Sequence, residues 1–452
     1  MKVKEFLNIV CGEIKYKPVR NGIAEELETH IQDIKEEYME KGIEEQQAEE
    51  KAVLQMGNAE EIGKKLNKIH KPKLDWKLLI LVIVLIAFGI LVAVLKQINI
   101  NDSSLGETII YMLFSVAIGI GVYFFDYRKI KKYSSLIYIV ATLIMILPLF
   151  FKSYINGIPY LKIFSISIFT PTITLLLYLI SFIGYITNYN KDNNLEINIV
   201  KRRIKLNKDF IKIIVLSILS LLLMMVVPST SNAIILGIAY IVIATIKLLQ
   251  NKKENTKKLI GLYGSILAIS IVIFFCIISS PFRFQRIIAS FNPEVAPDGA
   301  GWVGMLQKEV LENAKMIGEA ETVNSKNILM NVGCEYSFIY LLGKTGIVVT
   351  SILVIAIILM SIKLIINARN IKEQYGKFLI VGLSTLFILQ SFANILMNVN
   401  MWIVSDVSLP FVTYGGVYFV INSISIAIIL SVYRKKDVYQ YEMKDNIETN
   451  KI

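Results

Sequence analysis

The chain has 452 residues, 54% of them apolar, with a formal net charge of +12 and a mean hydropathy of +0.57, which excludes an ordinary soluble globular protein and fits a polytopic membrane protein. Its lysines and arginines sit in short loops between apolar runs, so the positive balance reads as membrane topology and not as nucleic-acid binding. Three cysteines (Cys11, Cys276, Cys334) without paired spacing and two histidines (His30, His70) weigh against a zinc cluster or a histidine-activated nucleophile.

The N-terminus, MKVKEFLNIVCGEIKYK, lacks the apolar core and cleavage site of a signal peptide, so targeting is expected to fall to the first membrane span. Residues 1–75 read as a separate helical domain. Val3, Phe6, Leu7 and Val10 recur at helical spacing, as do Leu27, Ile31, Ile34 and Tyr38, giving each segment one apolar stripe. Gly57 stops the helix before it, and Asn58 with Glu61 three positions on starts another through Ile62, Leu66 and Ile69. The run EELETHIQDIKEEYMEKGIEEQQAEEKAVLQMGNAEEIGKKL resembles the small helical prefix domain, sometimes called HAAS, found before bacterial permeases and membrane regulators.

Apolar runs near residues 77–96, 108–126, 134–151, 166–186, 210–227, 232–249, 258–279, 346–366, 377–398 and 414–433 predict ten transmembrane helices, most near the ~20 apolar residues needed to cross hydrocarbon. The boundary around Pro228 to Asn232 could mark a tight hairpin or a broken helix. Basic clusters follow each even-numbered span: Arg128 to Lys132, Lys201 to Lys208, Lys252 to Lys258, Arg369 to Lys377 and Arg434 to Lys436. The alternate loops are nearly free of Lys and Arg, so both termini are expected in the cytoplasm of a plasma-membrane protein. The predicted fold class is therefore all-α, a polytopic membrane protein with about ten transmembrane helices over residues 76–436, a small cytoplasmic helical domain before them and a cytoplasmic tail at 437–452.

Residues 281–337 form the long polar interlude of the C-terminal part, expected on the extracytoplasmic side. Trp302, Leu306, Val310 and Ile317 suggest an amphipathic helix lying on the bilayer, with Gln307 and Lys308 on its polar side. Arg283 and Arg286 could fork onto a diphosphate or simply anchor the membrane edge. Glu335 stands just before an apolar run, where partial desolvation would raise its pKa toward the range of a general base; a helix-start glutamate is the plain alternative. Asp406 and Trp402, in the last outer loop, could face the same cavity.

The C-terminal run QSFANILMNVNMWIVSDVSLPFVTYGGVYFVINSISIAIILS resembles the signature end of the SEDS family, the FtsW, RodA and SpoVE proteins. The matching positions are Gln390, Asn394, Leu409, Pro410, Phe411, Thr413, Tyr414, Gly415 and Gly416. In the large loop, Arg283 and Arg286, Asn292 and Pro293, Gly299 and Gly301, and Glu335 and Tyr336 follow the family's order. The family's usual aspartate is Glu335 here. Its Gln-Pro-Ser-Glu and following lysine at the fourth span become Thr170, Pro171, Thr172, Ile173 and Leu176, and its Pro-Asp after the fifth becomes Pro228 and Ser229.

The resemblance implies peptidoglycan glycosyltransfer, the polymerisation of undecaprenyl-linked lipid II into glycan strands in division, elongation or sporulation. It implies Glu335 as the catalytic carboxylate, a class B penicillin-binding protein as partner, and a divalent cation (Mg or Mn) for which the sequence offers no ligand cluster of its own. The candidate substrate-binding residues are Arg283, Arg286, Gln307, Gln390, Asn394, Thr413, Tyr414, Gly415 and Gly416. A flippase for the lipid-linked precursor and a non-catalytic scaffold for a penicillin-binding protein remain the alternatives.

Overall fold

A computed structural model describes residues 2–100, 104–151, 154–155, 158–163, 166–168, 170–189, 194–199, 202–227, 229–250, 281–322, 325–403, 406–413 and 416–436. Contacts divide the chain into two compact units, Met1–Asp75 with Val432–Ile452, and Trp76–Ser431.

Among the described residues up to Asp75, the first unit has four α-helices: α1 (Val3–Glu13), α2 (Arg20–Glu40), α3 (Glu45–Met56) and α4 (Ala59–His70). The apolar stripes meet as expected, with Phe6, Val10, Ile14, Ile23 and Ile31 buried together. The Asn58 side chain accepts the Glu60 and Glu61 amides at 2.9 and 3.3 Å, capping α4. The sequence reading ran α2 and α3 together; Gly42, at φ 82°, breaks them apart in a backbone region that side chains with a Cβ avoid.

In the second unit, eight helices of the described residues are long and apolar enough to cross a membrane. They are α5 (Trp76–Ile100), α6 (Ser104–Phe124), α9 (Thr170–Thr187), α10 (Lys208–Val226), α11 (Thr230–Leu249), and three further on that are numbered below. Between α6 and α9 lie a short basic helix, α7 (Tyr127–Lys132), and a further strongly apolar helix, α8 (Ser134–Phe151). The expected span at 258–279 lies outside the described residues, as does Pro228. The fourth span starts at Thr170, not 166, because Ile166–Ile168 pairs with Leu161–Ile163 as a hairpin and Pro171 suits the first turn of a helix. Helix α9 is central: 78% of it is buried, against 17% of α6 and of α10.

The long polar interlude is folded against one end of this bundle. It holds α12 (Pro281–Phe291), α13 (Trp302–Glu312), α14 (Ser325–Val332) and α15 (Ser337–Thr345), and leads to the spans α16 (Ile347–Arg369), α17 (Gln374–Asn398) and α18 (Gly416–Arg434). Residues 315–320 strap across the α15–α16 joint. The Ile347 and Val348 amides donate to the Lys315 and Met316 carbonyls at 3.0 and 3.1 Å, and the Ala320 amide donates to the Gly343 carbonyl at 2.8 Å. Glu319 pins the strap through Lys344 and Lys326 at 2.8 and 2.9 Å.

Two expectations for this region change. Helix α13 ends at Glu312, leaving Ile317 in the strap, 73% exposed. Gln307 is not on a polar face: it is fully buried, with neither amide atom partnered among the described residues. The face bearing Gly304, Gln307 and Val310 packs inward because a layer of α14, α15 and the end of α17, built on Leu329, Tyr336, Ile339 and Met397, covers it. Lys308 remains outside and pairs with Glu294.

Candidate functional site

Between α14 and α15 the chain makes a single 3-10 turn, Cys334–Tyr336. Tyr336 is buried against the loop core, while the Ser337 hydroxyl donates to the Cys334 carbonyl at 2.7 Å and closes the turn. Gly333 before it is extended, and an added Cβ there would land on the Glu335 carboxylate. The missing side chain at 333 is the space the carboxylate occupies.

The last turns of α17 hold this carboxylate-bearing turn in place. The Asn394 side-chain amide donates to the Glu335 carbonyl at 2.8 Å and to the Val407 carbonyl at 2.7 Å. Asn398, one turn on, donates to the Glu335 carbonyl at 3.1 Å and to Asn394 at 2.9 Å. Both asparagines are fully buried. One amide thus ties the segment of Glu335 to the segment of Asp406. From α18, the Tyr418 hydroxyl donates to the Asp406 carbonyl at 2.7 Å, and Ser408 and Cys334 touch at 3.4 Å.

The negative charge of Asp406 adds to the cost of ionising Glu335. Glu335 has its pKa pushed up to about 7, by burial first and by the negative charge of Asp406 second. Asp406 is pushed up to about 6 by burial, with Arg286 pulling in the opposite direction. Burial and the Glu335 charge also push the Cys334 thiol up to about 12, so it is not a thiolate nucleophile. Tyr160, from the loop between α8 and α9, feels burial, Asp406, Glu335 and Cys334 in that order, and all of them keep its phenol protonated. Such an arrangement can take a proton from a neutral donor near pH 7, with a cation, Arg286, at hand for a developing anion.

Among the described residues no group of three His, Cys, Asp or Glu could hold a metal ion. The donor set is compatible with a hard divalent cation of the magnesium kind, which often takes only one or two carboxylates and fills the rest of its shell with water and phosphate oxygens. Glu335 and Asp406 are the two carboxylates that would hold it.

The remaining sequence-stated candidates divide by depth. Gln390, one turn below Asn394 on α17, lines a cavity of about 10 Å³ with Asn422 and Ser425. That is room for about one water and not for a sugar. Thr413 is fully buried, and Gly416 lies against the ring of Tyr111, where a Cβ would collide, so it serves helix packing. Arg283 lies on the backbone of α12, and Tyr414 and Gly415 lie outside the described residues. Phe411, at φ 63°, sets its carbonyl against Gly89 of α5, which is what the Leu-Pro-Phe turn accomplishes. The sequence offered only a hint of Asp406 and nothing for Tyr160 or Gly333; the i, i+4 pair Asn394 and Asn398 was legible as one helix face.

Residues 73–438 match the FTSW_RODA_SPOVE family model, described as Cell cycle protein. The chain belongs to this family. It is a multi-pass membrane protein of the FtsW, RodA and SpoVE group, and the match covers the whole membrane unit, the two carboxylates included. A similar relative is the probable peptidoglycan glycosyltransferase FtsW of Nitrosomonas europaea, 26% identical over 387 residues, 81% of this chain and 94% of that one. Another of that name, from Idiomarina loihiensis, is 20% identical over 381 residues, 81% of this chain and 88% of the other. Among solved structures, one from a study titled "Structural coordination of polymerization and crosslinking by a peptidoglycan synthase complex" aligns at TM-score 0.62 and 16% identity, over 80% of this chain and 98% of its own. The rod shape determining protein RodA of Thermus thermophilus aligns at TM-score 0.55 and 14% identity, over 80% and 97%. These two likenesses concern the fold.

Proposed function

We propose that this family member is a peptidoglycan glycosyltransferase that polymerises lipid II, with Glu335 as the general base. The observation that carries the reading is a carboxylate whose turn is clamped by Asn394 and Asn398 and whose pKa stands at about 7. In the reaction, Glu335 takes the proton of a sugar hydroxyl as that oxygen bonds to the anomeric carbon of a second lipid-linked sugar. The carbon–oxygen bond to the diphosphate breaks, and the departing diphosphate keeps the electron pair. Arg286 offsets the charge that grows there. A divalent cation held by Glu335 and Asp406 would supply further charge neutralisation at the diphosphate. Tyr160, protonated, is a hydrogen-bond donor at the same place.

The basic clusters between spans support a topology with both termini in the cytoplasm and this site facing outward, where lipid-linked precursors are consumed. A class B penicillin-binding protein is the partner this reading implies, supported by the fold shared with a chain from a peptidoglycan synthase complex. Purified protein with that partner, labelled lipid II and magnesium should yield glycan strands, and Glu335→Gln should yield none. Undiminished product from Glu335→Gln would remove Glu335 from the mechanism. A wild-type chain that is inert yet needed to localise its partner would make it a scaffold.

A further inference from the structure

At the other end of the bundle from Glu335 the structure contains a cavity of about 190 Å³, more than ten times the ~10–15 Å³ that one water requires. Its place follows from chain direction. Helix α8 begins at Ser134 in the cavity wall, crosses the bundle, and ends before the loop that brings Tyr160 to Glu335 and Asp406. The wall is made where α7 ends, α8 and α10 begin and α9 stops, and it includes Lys131, Lys132, Lys212, Asp209, Tyr185 and Asn188.

Three lysines face one aspartate in this wall, a net charge of +2. None of the three is ion-paired with an acidic side chain among the described residues, whereas Lys308, Lys326 and Lys344 elsewhere are all ion-paired. Lys212 is held over the Tyr185 ring at 4.8 Å, a placement that fixes its ammonium without neutralising it. Gly184 lets the last part of α9 pack closely against Ser134 at the start of α8, which lines the recess. A positively charged recess attracts an anion with several acceptor oxygens.

Below the cavity, α10 presents Ile211, Val215, Leu219 and Leu222 outward, 36–53% exposed, and α8 presents Leu136, Ile139 and Leu143, 55–57% exposed. A ligand whose phosphate enters the recess therefore finds apolar helix faces running away from it at the spacing of lipid-facing positions. A soluble phosphate would make no use of those faces. We propose that this recess is a binding site for the phosphodiester headgroup of an anionic phospholipid, on the membrane face opposite the carboxylate site.

The test uses the full chain in non-ionic detergent, with short-chain phosphatidylglycerol or phosphatidylcholine added and bound lipid counted by native mass spectrometry. Wild type should retain phosphatidylglycerol in preference to phosphatidylcholine. The triple variant Lys131→Gln, Lys132→Gln, Lys212→Gln should bind it at least about tenfold more weakly, the loss of more than one charge-assisted contact. Arginine at the same three positions should restore binding, and Arg369→Gln with Lys372→Gln, on the same membrane face, should leave it unchanged. Equal retention by the glutamine triple variant would overturn the proposal, as would an equal loss in the Arg369/Lys372 pair. Displacement of the lipid by millimolar inorganic phosphate would also overturn it, by making the site one for soluble phosphate. None of these outcomes depends on whether Glu335 is catalytic.

Discussion

The side-chain amide of Asn394 donates at once to the backbone carbonyl of Glu335 and to that of Val407, at 2.8 and 2.7 Å. Through it, one buried nitrogen fixes the distance between two loops that are 72 residues apart, 335 to 407, and that each carry a carboxylate. Asn394→Ala strands two carbonyls and opens a small void; asparagine's amide has no equivalent in Asp, whose carboxylate would face those same carbonyls. Both substitutions should lower strand formation by on the order of 10²-fold, since a misplacement of about 1 Å suffices for that, and lower stability by about 1–3 kcal/mol. Steady-state polymerisation and thermal melts check the two effects separately.

Gly333→Ala should separate activity from stability. The new Cβ meets the Glu335 carboxylate, the far end of a flexible side chain, and the backbone at 333 is extended with φ −179°, which alanine adopts freely. The fold should keep its stability to within about 1 kcal/mol while polymerisation falls by about tenfold or more. A variant as active as wild type would mean that the carboxylate works from a different rotamer.

Glu335 sets a pH dependence of rate. Deprotonation is required for a base, so kcat/KM should rise through about pH 7 and level off above it. Asp406→Asn removes the negative charge that adds to the Glu335 shift, so the rising limb should move toward lower pH. A profile unmoved in that variant would show that the two carboxylates do not act on each other.

The same shift has a stability consequence of opposite sense. Because the folded value of about 7 lies above the ordinary 4.5, the stability it brings is complete below about pH 4.5 and is lost as pH rises through 7. Glu335→Gln cannot ionise. It should therefore be more stable than wild type at pH 8, by on the order of 1–3 kcal/mol once partial solvent exposure is allowed for, and no more stable at pH 4.5. Melts at the two pH values decide it.

Gly346 joins α15 to α16 at φ 88°, and its α-carbon faces the Lys315 and Met316 carbonyls of the strap, with 2.8 and 2.9 Å left for any added Cβ. Gly346→Ala combines an unfavourable backbone region with a clash against backbone that has nowhere to go. It should cost about 2 kcal/mol or more and loosen residues 315–320, measurable as faster amide exchange at Ile347 and Val348.

Most of the membrane fold was legible because hydrophobic length is a one-dimensional property. A run of ~20 apolar residues must cross the bilayer whatever surrounds it, and the predicted spans at 134–151 and 377–398 meet α8 and α17 almost end to end. The polar interlude was harder. The stripe Trp302, Leu306 and Val310 identified a helix, but one with a second covering layer, so Gln307 reads as polar surface in sequence and is core in the fold. The motif at the chain's end identified Asn394 as a site residue without showing that both of its amide contacts are spent on backbone.

What the sequence determined alone is the family, the crossing helices, the break at Gly57, and Glu335 as the carboxylate to watch, since each rests on local pattern or on a motif read in order. What only the tertiary structure decided is that Asp406 and Tyr160 converge on Glu335 with Arg286 acting on Asp406, that Gly333 leaves it room, and that three lysines close a recess at the other end. Those groups come from segments far apart in the chain, and their effect on one another falls off with distance in space, a quantity that order along the chain does not contain.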